Sequence, residues 1–90
     1  MKKTFKIGEY VVGGIIEVIV NEPKITINFR NMHSGSKEIV DTKDFISSTS
    51  VLNEIEWYIE DNGTYYYAEK VVKWIRDNIE LPQASGPFGW

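Results

Sequence analysis

The chain predicts an α+β protein. An antiparallel β-meander of three or four strands is followed by an antiparallel helix hairpin packed on one sheet face, giving two layers. Three observations carry this reading. Apolar and polar residues alternate up to about residue 47, and apolar residues then recur at helical spacing. Two turn signals, Gly13-Gly14 and Asn21-Glu22-Pro23-Lys24, divide the first half into strands. Asn62-Gly63 divides the second half into two helices.

The two glycines accept the positive φ angles of a two-residue type I′ hairpin. That turn sets Val12 opposite Ile15, Val11 opposite Ile16, Glu9 opposite Val18 and Ile7 opposite Val20. The proline turn sets Asn21 opposite Lys24, hence Val20 opposite Ile25, Val18 opposite Ile27 and Ile16 opposite Phe29. Together the registers place Ile7, Val11, Ile16, Val18, Val20, Ile25, Ile27 and Phe29 on one face, and a one-residue slip would scatter them. The opposite face holds Lys6, Tyr10, Glu17, Thr26, Asn28 and Arg30 and is expected to be solvated. His33-Ser34-Gly35-Ser36 reads as a loop. Lys37 to Phe45 reads as a fourth strand that turns either Ile39 or Val40 inward, depending on the loop before it.

Ser48, Thr49 and Ser50 are all suitable N-caps for the first helix. At 100° per residue, Val51, Leu52, Ile55, Tyr58 and Ile59 fall on one side of it. Thr64 is placed to cap the second helix, whose buried side is Tyr65, Ala68, Val71, Val72, Ile75 and Ile79, with Tyr66, Lys70, Lys73 and Asp77 facing out. Tyr67 and Trp74 share a flank and are expected to pack together. The short link makes the helices antiparallel. Residues 1–81 thus form the domain, and 82–90, with Pro82, Gly86, Pro87 and Gly89, an irregular tail.

Composition narrows the function classes. Cysteine is absent and there is one histidine, which excludes disulfide scaffolds, thiol chemistry and cysteine-ligated metals. Neither a metal nor a cofactor is expected. No nucleophile elbow, phosphate-cradling glycine loop or metal-ligand spacing occurs. His33 with Ser34 and Ser36 offers a base and a hydroxyl, but neighbours in one loop rarely hold the geometry of an activated nucleophile. A non-enzymatic protein is therefore expected. Met1-Lys2-Lys3 looks like the start of a secretory signal, but Lys6, Glu9 and Glu17 interrupt the apolar stretch that follows. No run approaches a membrane span, so a cytoplasmic location is expected.

The net charge of −3 is shared unevenly. Residues 1–50 hold seven basic and six acidic side chains, and residues 51–90 hold three and seven. The acidity belongs to the helices. Trp57 stands almost opposite the apolar side of the first helix, among Glu54, Glu56, Glu60 and Asp61. An outward indole bounded by carboxylates points to a docking surface for a protein with a basic face. Two other readings compete: cover by the tail or the second helix, and a homodimer contact. The alternative interface is the polar sheet face, where Lys6, Lys24 and Arg30 would meet nucleic acid, although Glu17 and Glu22 lie among them and make direct binding less expected. In size, acidity and lack of motifs the chain resembles phage and mobile-element inhibitors of host machinery, anti-CRISPR proteins among them. That likeness is carried by no motif. It implies a small inhibitor that occludes a basic surface of a host nucleoprotein.

Overall fold

The structure is a computed structural model that describes residues 1–7, 14–31, 38–62 and 65–81. The side chains of Ile7, Asn31 and Tyr65 are also outside the description. The α+β class and element order are as the sequence predicts: among the described residues, four strands and then two helices. The strands are β1 (Lys2–Ile7), β2 (Gly14–Asn21), β3 (Lys24–Asn31) and β4 (Glu38–Ile46), and the helices are α1 (Val51–Asp61) and α2 (Tyr65–Asn78). The chain separates into two compact units, one of residues Met1–Phe45 and one that begins at Ile46.

In the first unit the strands lie side by side in chain order, β1-β2-β3-β4. The β2–β3 register is the one read from the proline turn: Val20 opposite Ile25, Val18 opposite Ile27, Ile16 opposite Phe29 and Asn21 opposite Lys24. The Glu22-Pro23 peptide within that turn is cis. All six apolar residues of these pairs are buried.

The first hairpin differs from expectation. Ile7 stands opposite Gly14, Phe5 opposite Ile16 and Lys3 opposite Val18, so β1 is displaced by six residues from the register a Gly13-Gly14 turn imposes. Met1 extends the ladder, its carbonyl accepting from the Val20 amide at 2.7 Å and its terminal ammonium donating to the Val20 carbonyl at 3.0 Å. The reason for the error is parity. A displacement by an even number of residues leaves every side chain on its face, so Phe5, Ile7 and Val11 all satisfy the same alternation and cannot choose between registers. The expected pairings of Glu9, Val11 and Val12, and the His33 to Ser36 loop, lie outside the described residues.

β4 also departs from expectation. Neither Ile39 nor Val40 is buried; Phe45 is the one buried residue of the strand. An edge position leaves both faces open to water on one side. The polar face is not fully solvated either: Glu17 and Asn28 are buried there.

The second unit is an antiparallel helix hairpin, and α1 packs on α2. α1 buries Val51, Ile55 and Ile59, with Leu52 and Tyr58 half-buried. α2 buries Ala68, Val71, Val72 and Ile75, and Ile79 is buried just beyond its end. Those spacings are the stripes read from the sequence. Ser50 is the N-cap of α1, although its side chain caps no backbone amide. Its Oγ donates instead to Glu54 Oε2 at 2.9 Å. Both helices end on an asparagine whose amide donates to the carbonyl four residues back, Asn62 to Tyr58 at 3.0 Å and Asn78 to Trp74 at 2.9 Å. These side-chain bonds tie each asparagine back onto the last turn of its helix. Gly63, Thr64 and the tail from residue 82 lie outside the described residues.

Candidate functional site

Trp57 is 60 % exposed. The physical cause is its place on α1. Val51, Ile55 and Ile59 centre the buried stripe, and at 100° per residue Trp57 falls about 160° from that centre. The indole therefore has water over most of its surface. Covering that share, on the order of 100–150 Å², would favour a complex by roughly 3 kcal/mol before the costs of association.

The helix divides the four expected carboxylates into two groups. Glu56 and Glu60 are half-buried on one flank, and Glu54 and Asp61 are exposed on the other, with Trp57 between them. Glu56 and Glu60 line an open groove of about 320 Å³ with Glu69, Val72, Lys73 and Arg76 of α2. Three carboxylates and two cations thus line one groove between the two helices. Lys73 is drawn along its own helix by Asp77, at 3.0 Å. Glu54 takes the Ser50 hydroxyl, which gives it a place in the helix start as well as on the surface. Glu69, Lys73 and Arg76 of α2 join the site beyond the residues that the sequence of α1 points to. The signal was available, because an antiparallel hairpin brings one flank of α2 beside Glu56 and Glu60.

α2 carries a second exposed aromatic group. Tyr66 is 66 % exposed, and its ring meets that of Tyr67 edge to face with centroids 5.2 Å apart. Lys70 Nζ lies 4.7 Å from the Tyr66 centroid and 6.0 Å from that of Tyr67. The two rings and the ammonium form a cation–π cluster within one turn of helix. Tyr67 and Trp74, expected to pack together, are both half-buried.

The polar sheet face has a different character. Glu17 stands opposite Asn28 in the β2–β3 ladder. Asn28 Nδ2 donates to Glu17 Oε1 at 2.9 Å, and Asn28 Oδ1 accepts from the Thr42 hydroxyl. Lys2 and Arg30 approach Glu17 from opposite sides along the diagonals of the sheet, with Lys2 Nζ 2.9 Å from Oε2 and Arg30 Nε 3.2 Å from Oε1. One step along, Thr26 Oγ1 donates to Asp44 Oδ1 at 2.6 Å. Burial pushes the Glu17 carboxyl up; the hydrogen bonds from Asn28, Lys2 and Arg30 and the charge of Arg30 outweigh it and bring the pKa down to about 2. The alternative set of Lys6, Lys24 and Arg30 shares this face, since all three alternate with the buried apolar positions. Lys6 and Arg30 stand in one row, each opposite Ile15, about 10 Å apart by strand spacing. Lys24 sits at the turn, six residues from Arg30 and roughly 20 Å away. Arg30 is committed to Glu17.

Among the described residues, no group of three or more His, Asp or Glu side chains is arranged to hold a metal ion, and no helix is long and apolar enough to cross a membrane. No protein-family model, curated protein or solved structure matches this chain.

Proposed function

We propose that this protein is a non-enzymatic protein–protein interaction module that docks through the outer face of α1. Trp57 is the anchor, Glu56, Glu60 and Asp61 supply charge complement, and Glu54 stands at the rim. The observation that carries the reading is an indole left 60 % exposed on the side of α1 opposite its buried stripe. Tryptophan is the residue type most enriched among side chains that dominate binding energy. The surrounding carboxylates select a basic partner, such as the nucleic-acid groove of a nucleoprotein, and the effect on that partner is occlusion, hence inhibition without chemistry. Such a role fits a small protein carried by a phage or mobile element.

The test is capture from a bacterial lysate by wild type and by Trp57→Ala side by side, followed by affinity measurement at rising salt. The expected partner is held by wild type and binds Trp57→Ala at least about 30-fold more weakly, a loss of about 2 kcal/mol. Its affinity for wild type falls as salt rises. A folded Trp57→Ala protein that binds the captured partner normally would remove α1 as the site. A low-salt mobility shift with DNA or RNA, lost in Lys6→Ala and Lys24→Ala, would instead favour the sheet face.

A further inference from the structure

The two edges of the sheet are guarded differently. β1 carries Lys2, Lys3 and Lys6 among its six residues, and lysine is the usual device that stops an edge strand from pairing. β4 is the longest strand, at nine residues, and eight of them are exposed. Ile39, Val40 and Ile46 are 47 %, 62 % and 61 % exposed. β4 contains no proline, and its one lysine is Lys43. Among the described residues no strand lies beyond it.

We propose that β4 pairs antiparallel with β4 of a second copy of this chain about a two-fold axis at Thr42. Two four-stranded sheets then become one of eight strands. The occupant is argued from the order of charges along the strand. An axis perpendicular to the sheet pairs residues of equal parity, so backbone groups that point outward meet outward-pointing groups. Centred on Thr42, all nine residues find a partner and the strands share about eight to ten backbone hydrogen bonds. Asp41 then faces the second copy's Lys43, and symmetry makes that pair twice. Ile39 faces Phe45, and Thr42 faces itself. The remaining direct pairs, Glu38 with Ile46 and Val40 with Asp44, set no charge directly opposite another. A centre at Asp41 would set the two Asp41 carboxylates face to face and Glu38 against Asp44, and a centre at Lys43 would oppose the two lysines. Like charges directly opposite are destabilising. β1 fails where β4 succeeds: centred on Thr4, it opposes Lys2 to Lys6 twice.

The contact uses none of the α1 residues assigned to the proposed partner, so it is tested independently of that reading. Its test is the mass of the full chain by light scattering over a concentration series, with circular dichroism to confirm folding. Wild type is expected to approach twice 10.4 kDa. Asp41→Lys alone and Lys43→Asp alone each place like charges opposite one another and should raise the dimer dissociation constant at least ten-fold. An equimolar mixture of the two variants restores both attractive pairs and should dimerise as wild type does, and so should the double variant. A wild type that stays at one chain mass up to millimolar concentration overturns the proposal. So does a dimer that ignores both single variants, or one that dissolves in Trp57→Ala.

Discussion

Two charged surfaces of this protein use their charges in opposite ways. On the polar face of the sheet, Glu17 is buried and its oxygens are taken by Lys2, Arg30 and Asn28, while Asn28 also accepts from Thr42. On the outer face of α1, Trp57 is exposed and the neighbouring carboxylates sit in a groove or in water, and among the described residues Glu54 is engaged by its own helix start. The difference separates charges that hold the fold from charges left to meet something else. Net charge separates the two halves, because the sheet half is nearly balanced and the helical half carries the excess acid, but it does not mark the buried Glu17 cluster.

The comparison can be broken or sharpened by substitution. The largest effect belongs to Asn28→Ala. It removes a donor from a buried carboxylate and the acceptor of Thr42, and should cost about 2–3 kcal/mol in urea unfolding. The pH dependence follows from the lowered pKa of Glu17. A depressed folded-state value contributes stability that is complete above the ordinary value of 4.5 and is lost as pH falls through about 2. Denaturation midpoints should therefore drop between those limits, and Glu17→Gln should flatten that drop. Arg30→Ala comes next, at about 1 kcal/mol, because its side chain is 29 % exposed. Lys2→Ala should cost about 0.5 kcal/mol or less, since that side chain is 59 % exposed and water replaces the pair. The smallest effect is on α1, where Glu56→Gln, Glu60→Gln and Asp61→Asn together should shift stability by no more than about 0.5 kcal/mol.

How much of this was legible depended on which signal each element carried. The β2–β3 register could be read because a proline turn fixed it and both strands alternate cleanly. The helices could be read because Val51, Ile55 and Ile59, and then Ala68, Val71, Val72, Ile75 and Ile79, repeat at helical spacing. The register of β1 was hidden, since alternation specifies a face and leaves any even displacement open. Glu17 was misread as solvated because one glutamate within a strand looks alike whether water or neighbours satisfy it. Only the correct register brings Lys2 to its diagonal. Trp57 was legible as outward-facing from its angle on the wheel, while the groove beside it needed residues from both helices.

The claim that the fold leaves the indole of α1 unused is tested most directly by urea denaturation of Trp57→Ala. The account predicts a stability within about 0.5 kcal/mol of wild type, as for other exposed substitutions. A loss of about 2 kcal/mol or more would show that Trp57 is packed within the chain, and the docking surface would lose its anchor.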